Sequence, residues 1–270
     1  MGATSKTGLD REQRRRLDER GLVRLGGLIA PDAAEAMAER LWGELARRHA
    51  IQRHDAATWR AERPAQLGAF QRTGAFNVMG TGDLRAILDD LVGEGAWQEP
   101  RGWGLPLVCF PTGQTAWTLP HQVWHLDLTP EPRWRGPPPA RVFLLLAELR
   151  AGGGGTLVAA GSHRAVEEIA GRHGGRMSSQ DMRKQLARDH AWFADLMSPA
   201  KAADSDRVAR FMGKPTLANG VALQVEEIVG APGDVWLMHP HALHGLSANV
   251  LNTPRLALTQ TIYPKGWTGP

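Results

Sequence analysis

Ala231-Pro-Gly-Asp-Val-Trp-Leu-Met-His-Pro-His-Ala-Leu-His-Gly245 divides into three parts. Pro232-Gly-Asp234 is turn chemistry, because proline presets one backbone angle and glycine supplies the other. Val235 to His239 is an apolar run of strand length. The remainder gathers His239, His241 and His244 ahead of Gly245. A strand entered through a tight turn and left at a cluster of imidazoles is a unit that recurs in β architectures. The same texture runs from residue 104 onward, in Leu105–Phe110, Val123–Leu128, Arg141–Leu149, Thr156–Ala160, Val221–Val229 and Arg255–Tyr263. Glycine, proline and asparagine separate these runs, and many short strands with turn signals predict a sandwich or barrel. The fold class expected is mainly β with flanking helices, built on a double-stranded β-helix (a jelly roll, cupin-like).

Working outward, residues 9–20 are charged and helix-favouring and end at Gly21, and Gly21 to Gly26 reads as a short strand. Pro31-Asp32 opens a helix to about Ala50, with proline where a first turn tolerates it. Ala34, Met37, Leu41 and Leu45 recur there at helical spacing. Leu84–Val92 is a further helix. Between the strands, residues 165–214 are polar, and Met182, Leu186, Phe193 and Met197 give them helical character. The organisation expected is one domain over residues 1–270. It has an N-terminal elaboration at about 9–100, a jelly-roll core at about 104–263 and a helical insertion at about 165–214. Gly152–Gly155 lacks the Lys-Ser/Thr of a phosphate loop and reads as a flexible turn.

His125-Leu-Asp127 lies in the second apolar run. Residues two apart on a strand face the same side. An imidazole and a carboxylate there, joined by a distant histidine from 239, 241 or 244, make a two-histidine, one-carboxylate set. Non-haem Fe(II) centres use this set and keep coordination positions open. Arg255 beyond it offers a fixed fork for a carboxylate.

Composition is that of a soluble globular chain: 270 residues, 42% hydrophobic, 22% charged, net charge +4. A chain of this length buries enough surface to need no disulfide, and Cys109 is its only cysteine, read as a buried structural thiol. The pI near 9.7 raises nucleic acid as a partner. The arginines are scattered among acids, however, and no compact basic-aromatic patch appears, so no nucleic acid is expected. Met1–Asp10 has no apolar core for a secretory signal, and Lys6 spoils a myristoylation signal after Gly2. No run reaches the ~20 apolar residues of a membrane span. The expectations are no membrane and a cytoplasmic protein. Ten tryptophans against one tyrosine is unusual. Trp103, Trp117, Trp124 and Trp134 fall near the candidate site in sequence and offer an aromatic wall for a substrate.

Four segments together resemble the phytanoyl-CoA dioxygenase family of Fe(II)/2-oxoglutarate-dependent oxygenases. They are His125-Leu-Asp127, Gly155-Thr-Leu-Val-Ala-Ala-Gly-Ser-His163, Ala231-Pro-Gly-Asp-Val leading to Leu243-His244-Gly245, and Pro254-Arg255-Leu. The resemblance spans residues 9–263. It implies that His125, Asp127 and His244 bind Fe(II), since the family ligand directly precedes glycine and lies eleven residues before the arginine. It also implies that Arg255 grips 2-oxoglutarate, with Gln122 and Thr156 as further cosubstrate contacts, and that O₂ is the oxidant. Asp127 stands where related halogenases carry a small residue, so hydroxylation of an unactivated C–H bond in a small organic substrate, in secondary metabolism, is the implied reaction. The family's serine two residues past the last histidine is replaced by Leu246, with Ser247 following. Two other readings of the same residues are a zinc hydrolase using His-Asp-His and a jelly-roll binding protein without turnover. His163 reads as structural, and His121 as a rim or substrate-facing group.

Overall fold

The computed structural model describes residues 8–267, so Gly2 and Lys6 lie outside the described residues. The chain opens with α1 (Arg11–Arg20), β1 (Leu22–Leu25), α2 (Pro31–His49), the single turn α3 (Gly68–Gln71) and α4 (Gly82–Val92). Asp10 caps α1 by accepting from the Gln13 N–H, and the Gln13 side chain reaches back to the Asp10 N–H. This reciprocal box satisfies two of the free donors at the helix start. Gly21 ends α1 at φ 67. A side chain there would meet the His163 ring at 2.5 Å, so both the turn and the packing call for glycine.

Next come β2 (Leu105–Cys109), β3 (Ala140–Leu145), β4 (Thr156–Ala160), the helices α5 (Ser162–His173), α6 (Ser179–Asp189) and α7 (Ala191–Leu196), then β5 (Thr216–Ala218), β6 (Val221–Glu227), β7 (Val235–Met238), β8 (His244–Leu246) and β9 (Arg255–Ile262). They form two antiparallel sheets, ordered β1-β7-β3-β9-β2 and β5-β6-β4-β8. Non-sequential neighbours in both sheets give the jelly-roll crossing.

Side-chain alternation sorts the core into three layers. Val142, Leu144, Val235, Leu237, Leu256 and Leu258 face outward from the larger sheet onto α2 and α4. Leu157, Ala159, Leu223 and Val225 face outward from the smaller sheet onto the helical insertion. Phe143, Leu145, Val158, Trp236, Met238 and Ala257 fill the space between the sheets. Because both faces are covered, the strands read as continuous apolar runs. The same parity turns Arg141, Thr156, His244 and Arg255 toward the space between the sheets.

Several expectations need correction. Val123–Leu128 is not a strand: only His125 pairs, in an isolated bridge to His244. The partner strand is three residues long, and the Leu126 N–H, which faces away from it, donates to Ser179 Oγ. The run from Arg141 stays in its sheet only to Leu145. Strand β5 was not expected, although Asn219-Gly220 carried its signal. Both residues have positive φ, 49° and 78°, and Ala218 pairs with Val221 across a two-residue hairpin. Gly152–Gly155 is buried rather than flexible. The Glu227 carboxylate accepts from the Gly152 and Gly155 N–H groups at 3.1 and 3.0 Å. Burial pushes the Glu227 carboxyl above its ordinary value, against the pull of those two bonds.

Candidate metal centre and anion pocket

His125 and His244 exchange backbone hydrogen bonds, 2.8 Å one way and 3.0 Å the other. The pairing is possible because position 245 has no side chain: a Cβ there would lie 2.4 Å from Val123 Cγ2 and 2.7 Å from Val123 O. Each ring is then fixed by a carbonyl two residues before it. His125 Nδ1 lies 2.9 Å from Val123 O, and His244 Nδ1 lies 3.0 Å from Ala242 O. A carbonyl only accepts, so each Nδ1 carries the proton and each Nε2 presents its lone pair. Both lone pairs converge on Asp127, at 3.5 Å from His125 and 3.4 Å from His244. All three ligand atoms lie within 4.8 Å of one another, close enough that small side-chain shifts would bring them onto one ion.

Arg141 Nη2 forms an ion pair with Asp127 Oδ2 at 3.0 Å, and its Nη1 donates to Thr261 Oγ1 at 2.6 Å. Burial raises the Asp127 pKa, but the two imidazoles and the Arg141 charge overcome it and hold the carboxyl well below the usual range. The Asp127 contact raises the His125 pKa against burial. A cavity of about 370 Å³ opens beside Asp127, bounded by Leu126, Thr129 and Met177.

Arg255 enters the β9 ladder opposite Cys109 and crosses to the smaller sheet. It is 2% exposed. Its Nη1 donates to Gly154 O and its Nη2 to Thr156 Oγ1, both at 2.9 Å, while Nε is buried without a partner. Burial lowers its pKa to about 10. Among the described residues no carboxylate forms an ion pair with it. A pocket of about 140 Å³ adjoins this guanidinium, lined also by Arg63, Cys109, Leu246 and Ser247. Ser247 is fully buried and its hydroxyl accepts from Trp117 Nε1 at 2.5 Å.

The residues singled out in the sequence therefore fall into two groups. His125, Asp127 and His244 share one cluster, and Arg255 lines the pocket with Thr156 hydrogen-bonded to its Nη2. Gln122 is exposed. Of the three neighbouring histidines, His239 and His241 stand with Glu167 instead. His163 is buried, with Nε2 3.0 Å from Asp18 O. His121 is half-buried, with its Nε2 unpartnered. Trp103 packs in the N-terminal core and Trp124 is fully buried. Trp117 touches the pocket's Ser247, and Trp134 packs edge-on against Trp267 at 5.3 Å. Sequence reasoning missed Arg141 and Arg63. An arginine opening a strand that parity turns inward is the signal that pointed to Arg141.

No family model matches the chain, and no curated protein sequence matches it. Solved structures do. HygX from Streptomyces hygroscopicus, with nickel and 2-oxoglutarate bound, aligns at TM-score 0.55 and 17% identity over 97% of this chain and 90% of that one. The non-haem α-ketoglutarate-dependent carbocyclase SnoK from nogalamycin biosynthesis aligns at 0.52 and 18%, over 98% and 87%. AviO1 from Streptomyces viridochromogenes Tue57 aligns at 0.52 and 16%, over 100% and 99%. At these identities the likeness speaks to architecture: over nearly its whole length, this chain has the jelly-roll fold of HygX, SnoK and AviO1.

Proposed function

We propose that this chain is an Fe(II)- and 2-oxoglutarate-dependent dioxygenase, a single domain that hydroxylates an unactivated C–H bond of a small organic substrate in secondary metabolism. The observation that carries the reading is the convergence of two Nε2 lone pairs and one carboxylate beside a buried arginine that has no anionic partner. The donor set of two imidazoles and one carboxylate fits Fe(II) with open positions. HygX, of the same fold, holds nickel and 2-oxoglutarate. Bound iron and cosubstrate would supply the oxidising chemistry.

The chain's own contributions follow from its contacts. The carbonyls of Val123 and Ala242 fix the tautomer and rotation of each imidazole. Arg141, tethered by Thr261, holds the Asp127 carboxylate toward both rings. Arg255, oriented by Thr156, borders an anion site in which no carboxylate among the described residues pairs with the guanidinium, Glu227 acting on it only from beyond ion-pair distance. A buried cation without a partner is costly, so an entering carboxylate relieves that cost as well as forming its own hydrogen bonds. Gln122 is a cosubstrate contact only if a bound molecule draws it inward. A zinc hydrolase would use the same three ligands and leave Arg255 unexplained. Among the described residues no helix is long and apolar enough to cross a membrane.

The test is anaerobic loading of metal-free protein with Fe(II) and then 2-oxoglutarate. A visible charge-transfer band is expected in the wild type, absent in Asp127→Ala and His244→Ala, together with succinate formation that follows the same order. Stoichiometric zinc with no band, or near-normal succinate formation in either variant, would overturn the proposal.

A further inference from the structure

A cavity of about 540 Å³ lies between residues 130–138, α5 and His241. Trp134 and Trp267, in edge-to-face contact, form one wall together with Pro130 and Pro132. Glu167 and His241 line another.

The hydrogen-bond chemistry of Glu167 fixes what this wall offers. His241 Nδ1 lies 3.1 Å from Glu167 Oε1. A carboxylate only accepts, so Nδ1 carries the ring proton. His239 Nε2 lies 3.4 Å from the same oxygen. His239 Nδ1 accepts the His241 backbone N–H at 3.3 Å, so its proton also sits on the nitrogen that faces Glu167. His241 thus donates to Oε1, the His239 Nε2–H stands 3.4 Å from the same oxygen, and Oε2 has no partner among the described residues. The Glu167 side chain is 47% exposed and that of His241 only 8%. A partly open carboxylate is therefore braced from behind by two buried rings. His241 Nε2 remains buried without a partner, a second unmet acceptor on the same wall.

These three side chains have the composition of a zinc site. The proton assignment argues against one, because His239 donates through the nitrogen that would have to ligate. The cavity instead suits an organic cation. Carboxylates, Glu131 and Glu167, outnumber the one guanidinium, Arg135. Arg135 Nη1 is already bonded to the carbonyls of Pro132 and Trp134. Indole faces attract cations as well.

We propose that this cavity anchors the substrate and that the substrate is a small organic amine, its ammonium held by Glu167 Oε2 beside Trp134 and Trp267. The proposal rests on the oxygenase reading for what is done to the amine, and not for its binding. Pro130 follows Asp127 by three residues and His241 precedes His244 by three. Three residues span at most about 10 Å, so both walls lie within a short molecule's length of the centre.

The experiment uses metal-free wild-type protein without 2-oxoglutarate, so iron chemistry plays no part. Cyclohexylamine, cyclohexanol and cyclohexanecarboxylate are titrated while tryptophan fluorescence and heat are recorded. Cyclohexylamine is expected to bind saturably, at least tenfold tighter than either of the others. Glu167→Gln, whose amide oxygen still accepts from His241, should weaken the amine at least tenfold with an unchanged thermal midpoint. Trp134→Ala should weaken it and remove most of the fluorescence change. No saturable amine binding, equal binding of the carboxylate, unaltered affinity in Glu167→Gln, or stoichiometric zinc uptake lost in Glu167→Gln would each overturn it. Amine binding without the iron band would sink only the oxygenase reading, and the reverse only this one.

Discussion

Replacing Arg255 with glutamine separates a binding role from a structural one. The side chain is buried, its two terminal nitrogens hold Gly154 O and Thr156 Oγ1, and no carboxylate pairs with it among the described residues. Those two bonds have a charged donor and contribute about 1.5–3 kcal/mol each. Against them stands the burial of a charge, which is what lowers the pKa to about 10. The two roughly offset, so Arg255→Gln should leave the thermal midpoint near the wild-type value. Binding should respond differently. Truncating one partner of a desolvated, hydrogen-bonded charge pair costs about 2–5 kcal/mol. Taking ~3 kcal/mol, the dissociation constant of 2-oxoglutarate rises about 150-fold. Arg255→Lys keeps the charge and loses the fork. At about 1.5 kcal/mol for one charged hydrogen bond, it should weaken binding roughly tenfold. The assay is an anaerobic titration of 2-oxoglutarate into Fe(II)-loaded protein, following the charge-transfer band, with thermal melts of the metal-free proteins alongside. A dissociation constant within threefold of wild type in Arg255→Gln would refute the anchor. A large drop in melting temperature would show that the arginine is there to hold the two sheets together.

Three further outcomes follow from the geometry. Arg141→Gln frees the Asp127 carboxylate from its tether and should cost about 10–100-fold in Fe(II) affinity, measured by competition with a chelator, with little change in fold. Gly245→Ala forces a Cβ against Val123 O. It should destabilise by about 1–3 kcal/mol in denaturant melts and lower the metal stoichiometry, whereas Gly220→Ala at the distant hairpin should leave metal binding intact. His163 and His239 are pushed below 6.5 by burial. The native state therefore binds fewer protons than the unfolded chain, so the stability they confer is present above pH 6.5 and falls as pH drops below it. Replacing His163 with asparagine should flatten the melting-temperature profile between pH 6.5 and 5; an unchanged slope would show that other groups set it.

Much of this was legible in the sequence because the physics was local. Apolar runs of strand length, Pro31 at a helix start and Gly21 at a helix end each carry their own signal, and the structure places elements where they fall. Metal-type residues at 125 and 127, a histidine before a glycine and an arginine beyond it were visible as residue types in order. What was not legible depended on partners distant in sequence. Val123–Leu128 has strand composition, but the strand it meets, His244–Leu246, is three residues long and offers it one bridge. Gly152–Gly155 looks mobile until Glu227 is brought beneath it. Among His239, His241 and His244, spacing alone did not choose. The choice is made by the reach of α5, whose Glu167 draws the first two away. Arg141 could not be linked to Asp127 without the register that sets it beside Thr261.

Residues 110–139 contain neither helix nor strand, and within them only His125 joins a sheet, through its bridge to His244. One histidine of the centre thus belongs to the finished barrel, while the other histidine and the carboxylate ride on a long arm whose backbone meets the barrel's at the His125–His244 pair and at Thr112, which donates to Asn249 O. An ion bound there is a clasp as well as a reagent. Its measured affinity is the intrinsic affinity of three ligands reduced by the work of bringing the arm down, and every change that makes the arm easier to seat reads out as tighter metal. Such coupling runs both ways: whatever occupies the neighbouring cavity and rests on residues 130–138 also helps decide whether the metal stays.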